Sequence, residues 1–223
     1  MNLEKYNELL IKKNRVINLT AHKDFDSSWK YNVQDSLLFN EYITSVIQSP
    51  KGEESSDKRE RIIKCLDIGS GAGAPAIPLK ISFPQLDITM VDSVRKKVDF
   101  LNEVVKELEL KHIRAIHIRI EDIKERNFDI VTARAVAPLN TLLEYSLPFL
   151  KIGGLLLAYK GKNVHEEITQ AQNALNILGG TIESIIQENL DSETVRYLVV
   201  VKKVKPTSNS YPRGKNLPRT KPL

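Results

Sequence analysis

The stretch Cys65-Leu66-Asp67-Ile68-Gly69-Ser70-Gly71-Ala72-Gly73-Ala74-Pro75 passes from an apolar run into three glycines at alternate positions and then a proline. That is the pattern of a strand ending in a tight turn that opens a helix. Glycines accept positive φ and let a ligand reach the backbone, and the start of a helix offers N–H groups with no partner inside it. Outward from this point, β-rich runs alternate with helical periodicity, as a parallel sheet covered by helices on both faces requires. Strands are expected at 62–68, 87–92, 113–118, 128–132 and 155–159. Between the second and third, Val94, Val98, Leu101, Val105 and Leu108 keep helical spacing, with Ser93 placed to cap the start. The same spacing recurs in Val164, Ile168, Ala171, Leu175 and Leu178, with Asn163 and Glu166 as a capping pair and Gly179 as the stop. Two closing strands, 181–186 and 195–204, are joined by a polar stretch too short for a helical crossover, so they should pair antiparallel. The expected fold is α/β and Rossmann-like, with a mostly parallel sheet of seven strands.

Upstream, Leu3, Tyr6 and Leu10 mark a short amphipathic helix over 3–13. A second helix is expected over about 27–43, with Trp29, Val33, Leu37 and Phe39 as core contacts. Residues 49–61 are almost without apolar side chains and read as an exposed linker. Three segments follow: an N-terminal helical extension with its linker (1–61), the main domain (62–204) and a Pro-rich basic tail (205–223). The length suits one substantial core. With 41% hydrophobic residues and no apolar run near the roughly 18 residues of a membrane span, no membrane partner is expected. The N-terminus has no secretion signal, and the single Cys65 excludes an internal disulfide framework, so a reducing cytoplasmic setting and a monomer are expected. His22, His112, His117 and His165 have no metal-ligand spacing, and no metal site is expected. The net charge of +5 is concentrated at one end: Lys202, Lys203, Lys205, Arg213, Lys215, Arg219 and Lys221 face no acid in the tail. Such an arm, extended and weakly ordered through Pro206, Pro212, Pro218 and Pro222, either serves a polyanion, with Arg213 and Lys215 as phosphate contacts, or only aids solubility.

Gly69, Gly71 and Ala74 also satisfy the dinucleotide fingerprint, and Asp92 closes the next strand, where an acid binds ribose hydroxyls. The glycines alone do not choose a cofactor. Three features favour S-adenosylmethionine over a nicotinamide dinucleotide. Asp67, two residues before Gly69, can organise the loop or meet a cationic amino-acid end. Pro75 sits in the first turn of the helix. Glu121 and Asp122 follow the third strand, where they can meet an adenine amino group. The antiparallel closing pair is also unlike the second half of a dinucleotide-binding sheet.

Together with Asn18-Leu-Thr20, Asp35-Ser-Leu37, Leu66 to Leu79, Val91-Asp-Ser93, Arg95-Lys-Lys97, Arg134-Ala-Val-Ala-Pro138 and Leu157-Ala-Tyr-Lys-Gly161, these residues make the chain resemble the RsmG family, also called GidB. Its members are bacterial methyltransferases of small-subunit ribosomal RNA. The resemblance implies a class I methyltransferase fold and methyl transfer to N7 of one guanine in 16S ribosomal RNA, naked or in the small subunit. It also implies cofactor contacts at Gly69, Ala74, Ile120, Glu121 and Arg134. Two positions differ from the family pattern: Ala74-Pro-Ala76 replaces a bulky apolar residue followed by Pro-Gly, and Asn32 stands where a His is frequent.

The residues allow this chemistry independently. Methylation at cytosine C5 needs a cysteine nucleophile beside the base, and Cys65 lies inside a strand. The Asp/Asn-Pro-Pro-aromatic loop of exocyclic amine methylation is absent after the fourth strand. Guanine N7 has a lone pair and no proton to lose, so positioning can carry much of the rate. Arg134 can pair with Glu121 or Asp92 or else touch ligand. Asn18 and Thr20 can cap a turn or contact RNA, and Lys160 can meet phosphate or simply lie exposed. An RNA-binding assembly factor that keeps this fold without turnover is the alternative from another class.

Overall fold

A computed structural model describes residues 2–48 and 62–223, so the linker expected at 49–61 lies outside the described residues. Strand β1 (Ile63–Ile68) is parallel to β2 (Leu86–Asp92) on one side and to β4 (Phe128–Arg134) on the other. The seven strands run in the order β3-β2-β1-β4-β5-β7-β6, with β3 at Ile113–His117, β5 at Leu150–Lys160, β6 at Gly180–Asn189 and β7 at Val195–Lys203. Only β7 is antiparallel to its neighbours, as the short connection before it required. The chain reverses direction of winding between β1 and β4, and in open α/β sheets ligands bind beyond the carboxyl ends of the strands at such a switch point.

Alternate residues of each strand feed opposite cores. Ile63 and Cys65 of β1, with Leu157 and Tyr159 of β5, join one cluster, whereas Leu66, Ile68, Leu156 and Ala158 join the other. The first core is closed by α5 (Ala76–Ser82), α6 (Arg95–Glu107) and the N-terminal helices. From α1 (Asn2–Asn14) come Tyr6 and Leu10, and from the following bent segment Val33, Phe39 and Ile43. The second core is closed by α7 (Leu139–Ser146), α8 (Val164–Gln170) and α9 (Gln172–Leu178).

Several expectations are corrected. The helix expected over 27–43 is instead α2 (Phe25–Ser28), a π-helical stretch Trp29–Gln34, α3 (Asp35–Leu37) and, after a turn, α4 (Asn40–Gln48). The wider π turn re-aims Tyr31 and Asn32 toward the sheet edge, and such turns are frequent at functional sites. Ser93 does not cap α6. Asp92 accepts the Val94 N–H instead, through Oδ1 at 2.8 Å. The helix over 164–178 breaks at Ala171, and Asn163 makes no side-chain cap, but Gly179 ends it with φ 79° as expected. Nor is the tail a loose arm. It carries a helical turn, α10 (Leu217–Thr220), and is held by Thr207 Oγ1 on the Leu178 carbonyl (2.7 Å) and by Thr141 Oγ1 on the Pro218 carbonyl (2.9 Å). No helix among the described residues is long and apolar enough to cross a membrane.

Candidate active site

The carboxyl ends of β1, β2 and β4 surround a cleft of about 730 Å³. Its floor is Gly69, whose φ of 64° suits glycine, and a Cβ built there would meet Val136 Cγ2 at 3.0 Å. Gly71 (φ 54°) and Gly73 (φ 97°) continue the turn behind the cleft without lining it, and a Cβ on Gly73 would strike Ile77 of α5 at 2.5 Å. These two glycines shape the loop and bring it onto the helix. Ala74 is buried in the same turn. Tyr6 of α1 braces the loop from outside the sheet by donating to the Ala72 carbonyl at 3.0 Å.

Asp92 ends β2 with its carboxylate in the cleft. Its Oδ2 accepts the Gly71 N–H at 2.9 Å while Oδ1 takes Val94, so one side chain ties the glycine turn to the start of α6. Each carboxylate oxygen keeps a further lone pair for a ligand hydroxyl. The turn Ile120–Asp122 that follows the neighbouring strand β3 brings Ile120 and Glu121 into the same cleft, and Val136 and Tyr145 add apolar lining from beyond β4. The set is two acceptors, Asp92 and Glu121, flanking apolar surface. That fits a nucleoside, which presents hydroxyl and amine donors around a flat ring.

Asp67 lies beneath this loop, not in it. It is 0% exposed, Oδ1 accepts from Thr132 Oγ1 at 2.7 Å, and Oδ2 is buried with no hydrogen-bond donor. Burial pushes its carboxyl up to about 6, against the Thr132 hydrogen bond that opposes the shift. The folded state therefore holds this proton more tightly than the unfolded chain. The stability it contributes is complete below the unfolded value of 3.8 and is lost as pH rises through about 6. Thermal melts of Asp67→Asn and wild type at pH 5 and pH 7.5 check this: the variant should gain on the order of 1 kcal/mol relative to wild type at the higher pH. A constant difference between the two proteins would contradict it.

Arg134 turns away from the cleft. It pairs with neither Glu121 nor Asp92 but with the N-terminal segment: Nη1 donates to the Tyr31 carbonyl (2.6 Å) and to Asp35 Oδ2 (3.2 Å), and Nη2 to Asn32 Oδ1 (3.2 Å). Arg196 Nε reaches the other oxygen of Asp35 at 2.9 Å. These groups line a second cavity of about 320 Å³, which adjoins the first at Ala135. Asn32, buried, also donates to Ser28 Oγ at 3.2 Å. Thr20 lines this cavity and its Oγ1 accepts the His22 N–H at 3.3 Å, whereas Asn18 is exposed. The loop carrying both is built by Asn14, whose Oδ1 accepts the N–H groups of Leu19 and Thr20 at 2.8 and 3.0 Å.

Two expected phosphate contacts are corrected. Lys160 is buried, with Nζ on the Ala137 carbonyl (2.8 Å) and Glu167 Oε2 (2.7 Å), and desolvation lowers its pKa. Arg213 forks onto the fully buried Glu144 through Nε (2.8 Å) and Nη2 (2.6 Å), which commits its guanidinium to a partner within the protein. Among the other tail cations, Lys203 is buried against the Leu150 carbonyl and Lys202 pairs with Glu183. Lys215 is exposed and lines a smaller cavity beside Glu121 and Asp122. The docked tail instead supplies cleft residues the sequence did not reveal. Asn216 and Arg219 line the first cleft, and Arg219 Nη2 donates to the Val136 carbonyl at 3.1 Å. The one local signal was Gly214-Lys-Asn216, a turn-forming triplet in what otherwise reads as an extended arm.

A family model described as GidB, rRNA small subunit methyltransferase G, matches residues 1–195. The chain belongs to the GidB family. Among GidB relatives, a "Ribosomal RNA small subunit methyltransferase G" of Streptococcus pneumoniae strain R6 is 41% identical over 99% of this chain and 90% of its own length. A protein of the same name from Leuconostoc citreum is 40% identical over 99% and 89%. Solved structures share the fold. A SAM-dependent methyltransferase from Aquifex aeolicus superposes with TM-score 0.52 at 15% identity, over 76% of this chain and 92% of that one. An rRNA methylase from Streptococcus thermophilus gives 0.50 at 17% over 64% and 87%. The fold of this GidB chain is thus that of the class I methyltransferases. Residues 196–223, including Asn216 and Arg219, lie beyond the span matched by the family model.

Proposed function

We propose that this protein transfers a methyl group from S-adenosylmethionine to N7 of a guanine in 16S ribosomal RNA, as naked RNA or within the small subunit. The observation that carries the reading is the cleft at the switch point, lined by both Asp92 and Glu121 together with apolar side chains. Gly69, Asp92, Ile120 and Glu121 would hold the cofactor, Asp92 accepting from ribose hydroxyls and Glu121 from the adenine amine. When bound, the cofactor supplies an electrophilic methyl group on a positively charged sulfur. Asp67, a carboxylate sealed under the loop with an unpaired oxygen, favours a cationic ligand end above it. Gly71, Gly73 and Ala74 act by shaping the turn, and Arg134 by fixing the N-terminal helices to the sheet edge. The cleft is lined by no histidine or cysteine. The acceptor needs none, since N7 has no proton to lose and the protein's task is alignment. The non-catalytic alternative is not favoured, because the relatives carry an enzyme's name.

Mass spectrometry of nucleosides from 16S ribosomal RNA tests the reading. RNA from cells without the protein should lack one N7-methylguanine, and purified protein with S-adenosylmethionine should restore it. Retention of every N7-methylguanine in those cells would overturn the proposal.

A further inference from the structure

The second cavity is not needed to hold a methyl donor, yet it is built from strongly constrained groups. Its outer part carries His22 stacked on Tyr31, ring centroids 4.4 Å apart and planes within 15°. Burial and the neighbouring Arg134 lower the His22 pKa, which disfavours a charge on the stacked ring. Its inner part is Asp35, 5% exposed, gripped by Arg134 on one oxygen and Arg196 on the other. A carboxylate has about four acceptor positions, so each oxygen retains one. The two cavities meet at a single residue, Ala135, held at φ 57° in the left-handed region that alanine rarely adopts. Along Arg134-Ala135-Val136 the flanking residues line opposite cavities. Left-handed backbone at a non-glycine residue costs free energy and persists where the surroundings impose it, a frequent property of functional sites.

We infer that this second cavity receives the guanine that is methylated, with the His22–Tyr31 stack holding the face of the base and Asp35 accepting from its N1–H and exocyclic amine. The inference rests on the function proposed above and names the substrate subsite for it. A base inside a helix or a stacked loop presents no free face, so an enzyme that modifies it must take the base out of the stack into a fitted pocket. A paired acceptor edge fits guanine, whose N1 and N2 are donors. It opposes adenine, whose N1 is an acceptor. Arg134 and Arg196 outnumber Asp35, and the excess positive charge suits the O6 side of guanine and the nucleotide's own phosphate. With the Watson–Crick edge on Asp35, the N7 edge is left free toward Ala135 and the first cleft. There the N7 lone pair forms the new bond to the methyl carbon as the carbon–sulfur bond breaks. The bonding pair stays on sulfur, giving a neutral thioether, and the base carries the positive charge. No proton moves.

The test uses full-length protein, deproteinised small-subunit ribosomal RNA from cells lacking it, and the variants His22→Ala, Tyr31→Ala and Asp35→Asn. Single-turnover methyl transfer should slow roughly tenfold or more in each variant, since stacking and edge contacts with the target base are lost. Calorimetric affinity for S-adenosylhomocysteine should stay within about twofold, because these residues line the other cavity. A photoreactive benzoylphenylalanine in place of Tyr31 should crosslink to the methylated nucleotide or its immediate neighbours. If Asp35→Asn loses the S-adenosylhomocysteine site with its fold, the two aromatic variants and the crosslink decide. Variants that transfer at the wild-type rate, or crosslinks confined to distant nucleotides, overturn the base pocket while leaving the proposed function intact. Wild-type protein that forms no N7-methylguanine either on this RNA or on small subunits from the same cells overturns the proposed function itself.

Discussion

Arg213→Ala should lower the melting temperature by roughly 6–12 °C and weaken S-adenosylhomocysteine binding about tenfold. Glu144 is 0% exposed, and Arg213 gives it three hydrogen bonds, from its own backbone N–H (2.8 Å) and from Nε and Nη2. Truncating the guanidinium leaves a buried carboxylate with one backbone donor. Breaking a buried pair in this way costs about 3–5 kcal/mol. Arg213 is itself a quarter exposed, which places the cost at the lower end, about 3 kcal/mol. For a chain of this size each kcal/mol moves the midpoint by about 2–4 °C. The affinity loss follows from the tail: with Arg213 released, Asn216 and Arg219 rely on the Thr141–Pro218 and Arg219–Val136 hydrogen bonds to stay at the cleft. Replacing both partners, Arg213→Met with Glu144→Leu, should recover much of the melting temperature, because the buried charge is gone. A melting point within 1 °C of wild type for the single variant would show that the tail is held elsewhere.

Asp92→Ala should reduce the affinity for S-adenosylmethionine about a hundredfold. The substitution removes the acceptor proposed for the ribose hydroxyls and unties two backbone amides, Gly71 and Val94, that the carboxylate fixes at 2.9 and 2.8 Å. Hydrogen bonds to a charged group are worth about 1.5–3 kcal/mol each, so losing the ligand contacts and the set of the turn together reaches that magnitude. Asp92→Asn should fall between, because its amide can accept from one N–H but presents a donor to the other. Isothermal titration gives both values, and circular dichroism shows whether the fold survives. An Asp92→Ala protein that binds within a factor of two of wild type would remove the principal argument for a nucleoside in this cleft.

What could be read from the chain followed how local each signal was. The seven strands, the glycine turn and the pair Asp92 and Glu121 are each specified by residues adjacent in sequence, and the structure brings them to one sheet edge. Helix α7 escaped because, although Leu139, Leu142 and Leu143 keep helical spacing, its eight residues are too few for the periodicity to stand out. Strand β5 is longer than its 155–159 core because it continues back through Gly153 and Gly154, residues that read as a turn. The π-helical stretch has a period that a search at 3.6 residues does not find. The charged residues failed differently. Arg134, Lys160 and Arg213 stand out in the sequence, yet their partners Asp35, Glu167 and Glu144 are set by tertiary packing, two of them far along the chain. A cation count along a tail measures attraction for phosphate only where the protein has not already claimed the charges, and the buried Glu144 and the Leu150 carbonyl had claimed two.

The shared backbone at Ala135 has a thermodynamic consequence. Whatever occupies one cavity and shifts this residue changes the binding free energy in the other, and linkage makes the factor identical in both directions. With both cavities filled as proposed, donor and acceptor would be cooperative through one strained peptide unit. The spent thioether and the modified base would likewise feel each other's departure.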